Sequence, residues 1–77
     1  MRFTRYFLRT RQRPDRLRIR FEWIEAAVDH PAAQEIQHDG RIRRRVYVPE
    51  EARYLRVILL ADGVTVHNAF FDRGFSP

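Results

Sequence analysis

Two Asp-Gly dipeptides set the tightest limit on what this chain can fold into. Asp39-Gly40 and Asp62-Gly63 each stand beside stretches that alternate apolar and polar residues. Gly accepts the positive φ of a tight reversal, and Asp bonds its own nearby backbone, so this arrangement marks β-hairpins. Four strands follow, over 34–38, 41–48, 53–61 and 64–71, with Pro49-Glu50-Glu51 as a loop between the second and third. The third, rich in Leu, Val and Ile, is the most strongly marked. The pattern predicts an antiparallel meander of three to four strands.

A two-residue reversal at 62–63 also fixes a register. Ala61 then faces Val64, and further out Leu59 faces Val66, Ile58 faces His67, Val57 faces Asn68, Arg56 faces Ala69 and Tyr54 faces Phe71. Side chains alternate across a strand. One side of the hairpin therefore collects Leu55, Val57, Leu59, Val64, Val66 and Phe70, with Ile42, Val46 and Val48 from the preceding strand. The other collects Tyr54, Arg56, Ile58, Thr65, His67 and Phe71, with Arg43, Arg45 and Tyr47 beside them. A slip of one residue would exchange the two sides. Arg44 and Asn68 fall on the apolar side. The first is expected to snorkel out near the strand's edge, and the second needs partners if buried.

The N-terminal half reads as helical. A short helix is expected over 4–12, with Phe3, Phe7 and Leu8 grouped and Arg5, Arg9 and Arg13 on another side. Pro14 ends it, and Pro14-Asp15 turns the chain. Residues 17–23 fit either period. The reading adopted is an extended lead-in at 17–19 and a helix over about 21–30. In that helix Phe21, Ile24, Ala27 and Val28 form the apolar stripe, Glu22 suits the first turn, and Pro31 closes the end. Trp23 is expected in the core. The fold class is thus α+β, with two N-terminal helices packed on one face of the sheet. The length of 77 residues corresponds to a single α+β domain, 1–77.

Composition narrows the chemistry. There is no Cys, which rules out disulfides and thiolate metal sites. No apolar run approaches a membrane span, and the basic N-terminus lacks a signal peptide's apolar core, so a cytoplasmic location without membrane contact is expected. All fifteen basic residues are Arg, and they are unevenly placed. Residues 1–20 carry eight Arg and one Asp, residues 21–40 carry five acids and no Arg, and residues 41–77 carry seven Arg and four acids. An Arg bias of the genome explains the missing Lys but not the twenty-residue gap. Basic ends of this kind are a footprint for phosphate or for an acidic protein.

The polar side of the hairpin offers a defined chemistry. RNA is cut by its own 2′-OH without a metal, given a base, positive charge for the phosphorane and an acid for the leaving oxygen. His67 titrates in the range for acid or base work. Arg56 is placed to hold developing charge. Tyr54 would donate a proton or stack on a base. These three are the candidate catalytic residues, with Arg43, Arg45 and Tyr47 as RNA contacts and no metal or cofactor. The plainer account is that a single strand His is structural and that arginines on an antiparallel sheet form its wet face. His30 and His38 lie near turns and are expected to be solvated.

The order of elements, with Arg13-Pro14-Asp15, Val28-Asp29-His30-Pro31 and the strand Tyr54-Leu55-Arg56-Val57-Ile58-Leu59, resembles a widespread bacterial family of unassigned function. Its members are distantly similar to toxins of the RelE and BrnT kind. The segments Asp39-Gly40-Arg41-Ile42-Arg43-Arg44 and Thr65-Val66-His67-Asn68-Ala69-Phe70-Phe71-Asp72-Arg73 resemble one subgroup. The resemblance implies a compact helix–sheet domain that cleaves RNA and is silenced by an acidic antitoxin. In the RelE kind Arg, Lys and a C-terminal Tyr carry cleavage. Here Arg56 matches the Arg, there is no Lys, no Tyr follows residue 54, and His67 would replace the missing acid. The alternative is a non-catalytic module whose basic N-terminus or sheet edge binds an acidic protein. An uncovered edge strand would also allow a homodimer.

Overall fold

The computed structural model describes residues 1–75. In chain order they form β1 (Arg2–Phe3), α1 (Arg5–Thr10), α2 (Phe21–Asp29), β2 (Ala33–Ile36), β3 (Ile42–Val48), β4 (Arg53–Leu59) and β5 (Thr65–Asp72). The sheet order is β1-β5-β4-β3-β2. The α+β class and the four-stranded meander stand as expected. The sheet as a whole is mixed and five-stranded, because β1 pairs in parallel with β5, Arg2 beside Thr65 and Phe3 beside Val66. Nothing local in Arg2-Phe3 announces a strand; its partner lies at the far end of the sequence. Of the expected 73–77 tail, residues 76 and 77 lie outside the described residues.

Both helices contribute to one core on one side of the sheet. Phe7 of α1 and Ile24 and Ala27 of α2 are buried with Val48, Leu55, Val57, Leu59, Val66 and Ala69. Thr4 caps α1, its hydroxyl accepting the Phe7 amide at 3.1 Å. The helix stops at Thr10, two residues short of the expected end, and residues 14–18 form turns rather than an extended lead-in. Those turns bury Ile19 and leave Leu17 exposed. Phe21 is also largely exposed, at the rim of the apolar stripe, where its ring meets Phe3 edge-on. Trp23 packs edge-on against Phe71.

Arg44 does face the helices, but it does not snorkel to solvent. Its guanidinium donates to the Val28 carbonyl at the end of α2 at 2.8 Å and to Gln34 Oε1 at 2.7 Å. The last carbonyls of a helix lack intrahelical partners and carry partial negative charge, so a cation there is favourable.

The terminal hairpin departs from the expected register at two points. Its loop is longer than two residues. Gly63, at φ +74°, donates to the Leu60 carbonyl, and the Asp62 carboxylate accepts the amides of Val64 and Thr65. Ala61 and Val64 do not pair, and Val64 is 49 % exposed instead of lying in the core. Leu59 does face Val66, as expected. A β-bulge follows: Ile58 pairs with Asn68, leaving His67 as the extra residue. Beyond it every pair moves by one, Val57 to Ala69, Arg56 to Phe70, Leu55 to Phe71 and Tyr54 to Asp72. Phe71 therefore joins the core side, and Phe70 and Asp72 the open side. Asn68 leaves the apolar side, and the polar group that looked misplaced is accommodated.

Candidate nucleic-acid interface

The open side of the sheet is built around a buried ion cluster. Register places Arg45 directly opposite Arg56, a like-charge pairing that is unfavourable by itself. Asp72, delivered to this side by the bulge, resolves it. Its Oδ2 accepts from Arg45 at 2.9 Å and from Arg56 at 2.6 and 3.0 Å. Glu35 on β2 also accepts from Arg45 and lies 3.6 Å from Arg43. The side chains of Arg45 and Asp72 are 4 % and 8 % exposed. Burial raises the Asp72 carboxyl, but hydrogen bonds from Arg45, Arg56 and the Gly74 amide outweigh it and hold it below its ordinary value. Burial likewise lowers Arg45, and its bonds to Glu35 and Asp72 more than reverse that.

This cluster divides the candidate residues. Arg45 lies beneath the surface with its guanidinium over the Phe75 ring at 4.3 Å, out of reach of a ligand. Arg43 remains partly exposed beside Glu35. Tyr47 and Tyr54 pack edge-on at 5.2 Å, and Phe75 covers Tyr54 at 4.9 Å. They line a cleft of about 450 Å³ with Asp72 and Phe75, a different cleft from that of His67.

Arg56 and His67 do come together. They line an open cleft of about 380 Å³ with Tyr6, Arg41, Asn68 and Phe70. Sequence reasoning missed Tyr6, Arg41 and Phe70. Phe70 was assigned to the core because the bulge is invisible in residue pattern. Tyr6 reaches the cleft through β1: the Arg2 amide donates to the Val64 carbonyl and the Thr4 amide to the Val66 carbonyl, which sets the start of α1 beside β5. Thr4 Oγ1 then lies 3.1 Å from His67 Nδ1, and Tyr6 stacks on the imidazole at 4.8 Å. Burial, and then the nearby Arg41 charge, lower the His67 pKa from its ordinary 6.5, with Asp39 opposing. Both effects favour the neutral ring. Arg16 reaches over from the 14–18 turns, bonding Asn68 Oδ1 at 2.8 Å. The Phe70 ring has the Arg16 and Arg56 guanidinium carbons each 5.3 Å from its centroid.

Lowered values of this kind leave a mark on stability. A group whose folded pKa lies below its unfolded value stabilises fully above the unfolded value and loses that contribution as pH falls through the folded one. Stability should therefore decline below pH 6.5 as His67 takes up its proton, and decline again below 4.5 as Glu35, and then Asp62 and Asp72, whose values are likewise lowered, take up theirs. Urea midpoints measured across pH check this. His67→Gln should abolish the first decline, and a first decline that survives the substitution would assign it to another group.

Among the described residues, no group of three or more His, Asp or Glu side chains is placed to hold a metal ion. No helix among them is long and apolar enough to cross a membrane. No family model, curated protein or solved structure matches the chain.

Proposed function

We propose that this chain is an RNA-binding module that takes single-stranded RNA on the open side of its sheet, in the cleft shared by Tyr6, Arg41, Arg56 and His67. The observation that carries the reading is the meeting of cationic guanidinium groups with accessible rings in one cleft. Rings stack on any base, and Arg supplies charge for the backbone. RNA is also what the resemblance to RelE- and BrnT-type toxins implies.

Two features favour binding over cleavage. The charge of Arg56 is already met by Asp72. Of the side chains lining the cleft among the described residues, His67 is the one imidazole and none is a carboxylate, whereas cleavage through the 2′-OH calls for both a base and an acid.

The test is fluorescence anisotropy with a labelled single-stranded oligoribonucleotide in EDTA. Removing one base stack costs about 1–3 kcal/mol, so Tyr6→Ala is expected to weaken binding roughly tenfold. Arg41→Ala should weaken it and flatten the salt dependence. The RNA should emerge intact. Cleavage in EDTA that His67→Ala abolishes would replace this reading with the ribonuclease one. Absence of binding would reject both in favour of a protein contact along β2, the open sheet edge, where Ile36 is 65 % exposed.

A further inference from the structure

A second cleft, of about 330 Å³, shares Phe70 with the one holding His67. Arg16, Arg18, Arg53 and Arg73 line it, together with Asp15 and the rings of Phe70 and Phe71. Glu51 pairs with Arg18 at 3.2 Å and with Arg53 at 3.0 Å, so four arginines are met by two acids. Arg53 also lies 4.3 Å over the Phe71 ring, which holds its side chain against the cleft wall. The Arg16 Nε is buried and makes no hydrogen bond among the described residues, though Asp15 Oδ2 pairs with it at 3.5 Å. A cleft with surplus guanidinium charge fits an anion with several acceptor oxygens.

Phe70 lines both clefts and has one guanidinium from each beside it, Arg16 from this one and Arg56 from the first. We infer that the Arg16–Arg18–Arg53–Arg73 cleft is a second phosphodiester subsite, and that a single RNA strand runs from it across Phe70 into the His67 cleft. The inference rests on the RNA-binding reading above. It adds a path for the strand, a minimum ligand of more than one nucleotide, and a contact made by the N-terminal arginines. Those arginines come from the 14–18 turns, and Arg53 and Arg73 from the ends of β4 and β5, so the subsite is assembled by tertiary packing.

The experiment compares the wild-type chain with an Arg18→Ala/Arg73→Ala double variant. Both side chains are exposed, so the fold is expected to survive. The probes are a dinucleotide and a labelled single-stranded RNA of about 8 nucleotides, within the site sizes of single-strand binders. Anisotropy is followed across salt, and the arginine Nε–H and His67 ring signals by NMR. The longer RNA should lose about tenfold in affinity in the double variant, and its salt slope should fall by about 1.4, the value for two lost phosphate contacts on a single strand. The dinucleotide should bind both proteins alike.

Equal affinity and slope for the longer RNA would overturn the second subsite. So would a loss reproduced with the dinucleotide, or one reproduced with inorganic phosphate at constant ionic strength, since the cleft would then hold a free anion and not a strand. The two readings fail differently. RNA that moves the Arg18 and Arg73 signals and leaves His67 and Tyr6 untouched removes the first cleft and keeps the second. RNA that moves only His67 and Tyr6 does the reverse.

Discussion

Asp72→Ala is expected to cost about 3–5 kcal/mol of folding stability, the loss measured when one partner of a buried ion pair is removed. The size follows from what stays behind. Arg45 remains 4 % exposed and directly opposite Arg56, and the carboxylate that reconciled them is gone. Glu35 still bonds Arg45, but it stands half in water and also serves Arg43. Arg56, with its side chain 23 % exposed, can swing outward; Arg45 has no such path. In a domain of this size, a loss of this magnitude lowers the melting temperature by more than about 10 °C.

The companion variant separates charge from packing. Arg45→Met combined with Asp72→Val removes both charges at a similar total volume, and such replacements are often neutral, so it should stay within about 1 kcal/mol of the parent. Urea denaturation of the two variants decides the matter. A single variant that loses less than about 1 kcal/mol would mean that Arg45 finds water and that the cluster is not structural.

Leu55→Ala carries the second large effect, about 2–5 kcal/mol by the usual cost of a large-to-small change in a packed core. Leu55 is 0 % exposed at the middle of the sheet, paired with Val46 on one side and Phe71 on the other. Neighbours on two strands and on the helices cannot all move to close the void. Against a total of about 5–15 kcal/mol for a typical domain, the variant gives up a large share of its stability. Val64→Ala is the informative contrast. Simple alternation puts Val64 and Leu55 in the same core, but Val64 is exposed at the hairpin loop, so its replacement should change stability by no more than about 0.5 kcal/mol. Equal losses at the two positions would put Val64 in the core and restore the two-residue loop.

The difference between those two residues shows what was legible in advance. Period-two alternation identified β3 and β4 and the sides their residues occupy. Arg43, Arg45, Tyr47, Tyr54 and Arg56 all lie on the open side, because in an unbroken strand the covalent geometry leaves no other choice. The Asp-Gly turns were legible because their backbone requires those residue types. The helix at α2 followed from its apolar stripe and from Pro31. The bulge at His67 was not legible. An extra residue in one strand leaves the composition unchanged and appears only when the partner's hydrogen bonds are counted.

The same limit applied to the site. His67 and Arg56 share a cleft as alternation implied, yet Arg45 is buried under the cluster that Asp72 completes, and Tyr54 belongs to a neighbouring cleft. The amino-acid order alone determined the elements built from neighbouring residues: the meander, its two reversals, the helices and the sidedness of the central strands. Packing alone decided that Arg2-Phe3 lies parallel to β5, that Tyr6 stacks on His67, and which arginines reach solvent. Each of these joins residues distant along the chain, and such contacts form only where the whole core brings them within bonding distance.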